Sequence, residues 1–413
     1  MKWLMQFCMA RAAFATMFTA YSAVLPLVKL EWGMSAWQAG LIQSVHHAGF
    51  LISLFSVGFL TDRFGARRTY LAASFAAAIS AALFAFIADD FLSALLLYGL
   101  TGLCSGGSYT PGLAIISQQM TGRQQGQAMG FYLAAASLGY AFGLFIASAM
   151  IPLAGWRGSF VVTSLGPVLG LLVGFWSLRN VPNVLHYRSG SRSIFKGLSR
   201  VIGNRAAMLS IWGYTFHAWE LLGLWAWLPA FLTAASIASG NSAQQAASVG
   251  ATLTAITYLV AAGGNALGGA LSDRHGRTLV ALFMGISSLV FSFSFGWMLG
   301  LPMWLLLLIA TLYNATSVAD SSILSTTLTE LVDPASLGAA YSLRSVLGFS
   351  AGAVAPWVFG VVLDAGRAAG GVSDTIVWAL AWSTLGLGGL LGPLAIWRLR
   401  QMPDARRLAG GKR

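Results

Sequence analysis

The chain has 413 residues, 57% of them hydrophobic and only 9% charged, with a mean hydropathy of +0.73. Soluble domains carry about 25% charged residues, so this chain lacks the polar surface to coat a water-soluble body of its size. That excludes disorder, fibrous repeats and an ordinary soluble enzyme. Lysine and arginine number 24 against 12 acidic residues, for a net charge of +12. No soluble basic domain carries the excess, so it reads as a membrane-orientation signal and not as a nucleic-acid footprint.

A hydrocarbon core takes roughly 20 helical residues. Windows of low charge predict helices at 4–28, 36–60, 68–88, 91–118, 126–150, 159–178, 206–234, 247–271, 278–299, 301–328, 338–363 and 376–397. Twelve spans result, six on each side of a polar stretch at 179–205. The opening Met1-Lys2-Trp3 runs into apolar sequence without a small-residue cleavage signature, so the first window is kept as a span. Cys8 and Cys104 lie in apolar runs and read as small buried hydrophobes, with neither disulfide nor metal spacing. Glycines at 99, 102, 106, 107 and at 263, 264, 268, 269 suit close helix packing in lipid.

The cations sort by side. With the N-terminus cytoplasmic, one face holds Lys2; Arg63, Arg67, Arg68; Arg123; Arg179, Arg188, Arg192, Lys196, Arg200, Arg205; Arg274, Arg277; and Arg398, Arg400, Arg406, Arg407, Lys412, Arg413. These are 19 of the 24, against Lys29, Arg157 and Arg367 opposite, which places both termini and the linker in the cytoplasm of a multi-pass protein of the cell inner membrane. The basic linker reads equally as a segment lying on anionic membrane lipid and as a solvated tether.

Gly58-Phe-Leu-Thr-Asp62-Arg63-Phe-Gly65-Ala-Arg67-Arg68 recurs as Gly269-Ala-Leu-Ser-Asp273-Arg274-His-Gly276-Arg277, and Gly126-Gln-Ala-Met recurs as Gly338-Ala-Ala-Tyr. The offsets, 211 and 212 residues, indicate a duplicated six-helix unit. The expected organisation is a bundle over 1–178, a cytoplasmic linker over 179–205, a second bundle over 206–397 and a basic tail over 398–413.

The loop motif, its weaker copy and the phrase Gly155-Trp156-Arg157 with Phe160 resemble the major facilitator superfamily over essentially the whole chain. The resemblance implies an all-α integral membrane fold: twelve transmembrane helices in two pseudo-symmetric six-helix bundles around a central cavity, moving by alternating access. Gly58 is expected to allow close helix approach and Gly65 a tight turn. Asp62 with Arg63, Arg67 and Arg68, and Asp273 with Arg274 and Arg277, would form gating charge clusters that bond in one state and break in another. The alternative is that these cations are topology signals alone. The fourth span reads Tyr98-Gly-Leu-Thr-Gly102 where the family often carries an arginine, and Leu144 stands where its antiport pattern has proline. Both departures weigh against proton-driven export.

A charge at the centre of a span costs about 2.5–3.5 kcal/mol on insertion scales, so each one needs a partner or a wet cavity. His217 and Glu220 share one helical face at i, i+3, with Glu220 roughly 21 Å into the seventh span. Glu220 reads as a proton carrier or as a structural hydrogen bond between helices. His46 and His47 lie some 15 residues before Asp62, where one imidazole at most points into a cavity. Asp320 and Arg344 stand equally far from Val332 and are expected at similar depth. They read as an ion pair, or as an anion-binding arginine with a displaceable, protonatable counter-ion. Arg11 reads either as snorkelling or as reaching the cavity. With Arg344 it would offer one cation from each half, suited to clamping a small anion. Among the aromatics Tyr21, Trp212, Tyr214, Trp219, Trp225, Trp227, Tyr313 and Trp357, Trp219 and Trp225 are the candidate pocket walls. No third ligand accompanies His217 and Glu220, so no metal site is expected.

These readings converge on a secondary active transporter of a small anionic organic solute, proton-coupled through His217, Glu220 or Asp320, with Arg11, His46, His47, Trp219 and Arg344 touching substrate. The expected partners are the solute, protons and membrane lipid, with no cofactor and no nucleic acid, in a monomer. Export of a drug or metabolite is the alternative within transport, and a non-transporting membrane sensor or an integral-membrane enzyme the alternatives outside it.

Overall fold

The structure is a computed structural model describing residues 2–120, 122–185 and 192–412, without the side chains of 122, 123, 126, 192–196 and 335. The linker cation Arg188 therefore lies outside the described residues, as do the side chains of Arg123, Arg192 and Lys196. The helices are α1 Lys2–Ala15, α2 Ala20–Glu31, α3 Ala36–Phe64, α4 Ala66–Ile87, α5 Phe91–Ser105, α6 Thr110–Gln119, α7 Gly122–Ser177, α8 Arg192–Gly203, α9 Arg205–Ala238, α10 Ala243–His275, α11 Arg277–Ser294, α12 Met303–Leu331, α13 Leu337–Ala368, α14 Asp374–Gly389 and α15 Leu391–Gln401. Among the described residues 11 runs are long and apolar enough to cross a membrane, and α1–α2, α5–α6 and α14–α15 each count as one of them.

The longest run, 51 residues, is itself two spans. Its helical path breaks at Ala154 (φ −139°) and Gly155 (φ +64°), giving the twelve spans that the sequence predicts. At this break Trp156 donates to the Glu31 carboxylate at 2.5 Å and Arg157 to the Ala88 carbonyl at 3.0 Å. The Gly-Trp-Arg phrase thus turns the chain and ties the turn to two neighbouring helix ends.

The linker contains a helix, α8, that the charge pattern did not suggest. Val201 on it is buried with Ala207, Ile211, Leu328, Val332 and Ala340, so this part of the linker docks on the bundle. Hydrophobic burial fixes a segment that its cations alone would leave solvated.

The chain divides into two compact units, residues 1–188 with 228–259 and residues 189–227 with 260–413. The 228–259 stretch, the end of α9 and beginning of α10, is bound into unit 1 by polar contacts with α7. Ser148 and Ser248 exchange hydroxyl-to-carbonyl bonds at 3.0 and 2.8 Å, and Gln244 donates to the Ile151 carbonyl at 2.7 Å. In unit 1, Phe7 packs on Tyr70 and Tyr132 with centroids 5.0 and 4.9 Å away. In unit 2, Trp227, Phe359, Trp382 and Phe295 form a chain of rings with successive centroids 4.9 to 5.3 Å apart.

Candidate functional site

Each unit has a polar nest inside its apolar interior. In unit 1, α5 gives way to a 3-10 turn over Gly106–Ser108. A Cβ on Gly106 would meet the Ser53 side chain and one on Gly107 would collide with Ala73, so the glycines let this turn press against α3 and α4. The turn presents Ser108, whose hydroxyl accepts from Arg11 at 2.5 Å. The Arg11 guanidinium also lies over the rings of Tyr109 and Tyr132, 5.8 and 5.7 Å from their centroids. At 4% exposure the side chain is buried, which decides against snorkelling in favour of the interior. It lines a pocket with Phe14, Phe18, Phe50, Thr101, Ser105 and Tyr140, and its Nε has no hydrogen-bond partner.

In unit 2, Glu220 on α9 accepts from Ser288 and Ser292 of α11, at 2.5 and 2.7 Å to one carboxylate oxygen. The two serines stand one turn apart and so present both hydroxyls on one face. Each relays onward, Ser288 to Ser317 at 2.7 Å and Ser292 to the Tyr313 hydroxyl at 2.5 Å. His217 and Asp320 line the same pocket as Glu220, against Gly213, Gly285, Gly389 and Gly392. His217 Nε2 is 2.7 Å from the Ser321 hydroxyl, and Asp320 Oδ1 is buried without a hydrogen-bond partner.

The expected ion pair between Asp320 and Arg344 is not formed. Arg344 donates to the Ser325 hydroxyl at 2.8 Å and lies 3.7 Å over the Tyr214 ring. Counting from Val332 misplaced the turn: Arg344 is 7 residues into α13, whereas Asp320 is 11 residues before the end of α12. The four-residue difference is about 6 Å of depth at 1.5 Å per residue.

The other predicted substrate contacts bond to neighbouring helices or within their own. His46 Nδ1 lies 3.1 Å from the Tyr98 carbonyl, and its ring stacks on Tyr98 at 4.2 Å. His47 pairs with Gln43, one turn earlier on its own helix, at 3.2 Å. Neither histidine lines the unit 1 pocket. Trp219 donates to the Thr384 carbonyl at 3.2 Å and fills the space over Gly388, outside the Glu220 pocket. Trp225 donates to the Asn314 side chain at 3.0 Å, in a cluster with Leu221, Ala261 and Val318.

Both loop-motif copies turn on a glycine with positive φ, Gly65 at +85° and Gly276 at +101°. In the first copy Arg67 donates to the Val181 carbonyl at 3.1 Å. Asn183 bridges the turn, donating to the Phe64 carbonyl at 2.8 Å and accepting from the Arg68 amide at 3.2 Å. Arg63 lies over the Phe64 ring at 5.2 Å. In the second, Arg277 pairs with Asp273 and reaches Glu330 at 2.9 Å. Arg274 is exposed. Gly58 differs from expectation: a Cβ there would meet nothing within 4 Å, while Gly269 has only the Ser322 hydroxyl at 3.9 Å.

Ser108, Ser288, Ser292, Asn183 and Glu330 were not singled out in the sequence. Ser288 and Ser292 carry a readable signal, two hydroxyls at i, i+4 on an apolar span. Ser108 and Asn183 carry none, since their partners are 97 and 115 residues distant in sequence.

The family model described as Major Facilitator Superfamily matches residues 7–356. A probable 4-methylmuconolactone transporter of Cupriavidus pinatubonensis is 23% identical over 340 residues, 79% of this chain and 76% of that one. A probable sulfoacetate transporter of Cupriavidus necator is 28% identical over 272 residues, 61% of this chain and 60% of that one. The crystal structure of a bacterial homologue of the human lysosomal transporter Spinster superposes with a TM-score of 0.75 at 17% identity, covering 97% of this chain and 98% of that one.

Proposed function

Because this chain belongs to the major facilitator superfamily, we propose that it is a secondary transporter that carries a small organic anion across the cell inner membrane by alternating access, coupled to protons. The observation that carries the anion is Arg11. A guanidinium at 4% exposure in an apolar span holds a serine hydroxyl and two ring faces, and among the described residues no carboxylate is paired with it. Burying such a charge is costly unless a counter-charge arrives, and an anionic solute supplies one. Arg344 offers a second cation in unit 2, with no acidic partner among the described residues. The relatives named for sulfoacetate and methylmuconolactone support the same substrate class.

Proton coupling is assigned to Glu220 and Asp320, with His217 one turn from Glu220. The hydroxyls around Glu220 can serve a carboxylate as donors or a carboxylic acid as acceptors, so the nest accommodates both protonation states. The lysine and arginine bias supports cytoplasmic termini. On this reading His46 and Trp219 are helix-to-helix contacts, and His47 pairs within its own helix.

The test is uptake into proteoliposomes of labelled sulfoacetate, benzoate and lactate, each with and without an imposed acid-outside gradient. Accumulation of at least one anion, raised by the gradient, is the expected result. Transport of tetraethylammonium with none of the three anions would reject the anion assignment.

A further inference from the structure

Glu330, the penultimate residue of α12, binds two things at once. One carboxylate oxygen accepts from Arg277 Nε and Nη2 at 3.2 and 2.9 Å. The other accepts the backbone N–H of Ala409 at 2.9 Å. Around this contact, the end of α15 and the segment after it fold down onto the second loop motif and the start of α11. Leu408 and Ala405 are fully buried, Lys412 donates to the Asp273 carbonyl at 3.1 Å, and Arg400 donates to the Thr278 hydroxyl at 3.0 Å. Ala409 has φ +48°, and among the described residues no other non-glycine has a positive φ; Gly410 and Gly411 follow at +66° and +100°. A left-handed alanine persists only where its surroundings hold it. Here the burial of Leu408 and the bond to Glu330 do so.

Unit 1 has a counterpart. There the chain leaving the end of α7 passes the first loop motif, and Val181 and Asn183 bind Arg67, Phe64 and Arg68. The segment after α7 bonds directly to Arg67, and the segment after α15 reaches Arg277 through Glu330, so unrelated residues tie each glycine turn to the chain that follows a span.

We propose that residues 403–412 are a strap that restrains the second loop motif, with Glu330 as the anchor shared by Arg277 and the strap. While the strap is docked, the carboxylate that Arg277 needs is held on both oxygens, and the turn at Gly276 cannot reorganise. Release of the strap frees Glu330 to rotate and lets the loop rearrange.

Hydrogen exchange of the full-length protein in detergent, followed by mass spectrometry, tests this directly. The Gly276 and Val280 amides are bonded to Ser272 and Gly276 at 3.0 and 3.3 Å, so they report on the turn. Ala409→Pro removes the donor to Glu330 and forbids the positive φ; a chain ending after Gln401 removes the strap altogether. In both, exchange over 276–281 is expected to rise by roughly fivefold or more, with residues 66–71 of unit 1 unchanged. A rise below fivefold in either variant overturns the proposal. Should the shortened chain also loosen residues 66–71, Ala409→Pro alone decides.

Discussion

Arg344 of α13 stands level with Ser325 of α12, donating to its hydroxyl at 2.8 Å, and leaves Asp320, five residues earlier on α12, without a cation among the described residues. Arg344 is therefore separated from the buried carboxylates of its unit. Arg344 rests on Tyr214, while Asp320 shares its pocket with Glu220 and His217. Groups that do not touch should act independently. A double-mutant cycle of Asp320→Asn and Arg344→Gln, read as unfolding free energy in detergent, should give a coupling of about 0.5 kcal/mol or less. A coupling of roughly 3 kcal/mol, as for breaking a buried pair, would restore the ion pair.

Glu220→Gln separates charge from shape. Glutamine keeps an oxygen for Ser288 or Ser292 but cannot take up a proton at neutral pH. Stability should fall by about 0.5–1.5 kcal/mol, the worth of one hydrogen bond. Stimulation of anion uptake by an acid-outside gradient should vanish, while exchange of unlabelled for labelled anion persists. A variant still stimulated as strongly as the unaltered protein would remove Glu220 from coupling.

Much of the fold was legible because a bilayer reduces the problem to apolar length. Every apolar window is helical over most of its length, with three of them interrupted between α1 and α2, α5 and α6, and α14 and α15, and some helices overrun their windows, as in Ala36–Phe64 against 36–60. Azimuth was harder to read than depth. Glu220 and Trp219 are neighbours in sequence, yet about 100° of helical rotation sends one to the serines of α11 and the other to α14. Arg344 and Asp320 were matched by counting from a loop whose centre lay elsewhere. The α8 helix was missed because a basic stretch gives a strong orientation signal, and its docking depends on apolar residues that the charge count ignores.

Arg11→Gln should move stability and binding in opposite directions. Removing a buried charge without a carboxylate partner relieves its desolvation cost, so the unliganded protein should be unchanged or more stable by about 1 kcal/mol. Affinity for a transported anion should fall by about tenfold or more, equivalent to 1.4 kcal/mol. Thermal unfolding with and without the anion reads both effects. A variant that loses stability and keeps its anion affinity would make Arg11 structural.

Two glycines distinguish packing from movement. Gly107→Val would drive a side chain into Ala73 and should cost about 1–3 kcal/mol. Gly58→Ala meets open space and replaces glycine within α3, so it should be neutral or stabilising by up to about 1 kcal/mol. If Gly58 serves close approach in another state of the transport cycle, the alanine variant should nonetheless slow uptake several-fold. Unchanged uptake in Gly58→Ala would confine the motif's function to its charges and its turn.

The turn itself is tested at Gly65, where φ is +85° and Asn183 occupies the space a Cβ would need. Gly65→Ala must pay for the backbone conformation, about 1–2 kcal/mol, and must also displace Asn183. Asn183→Ala leaves the backbone unstrained but frees the Phe64 carbonyl and the Arg68 amide, two bonds of about 1 kcal/mol each that water can partly replace. The double variant should then be less destabilised than the sum of the two, because with Asn183 shortened the new Cβ at 65 has room. Unfolding midpoints of the four proteins measure that coupling. Strict additivity would mean that Asn183 does not seat on Gly65 in the folded protein.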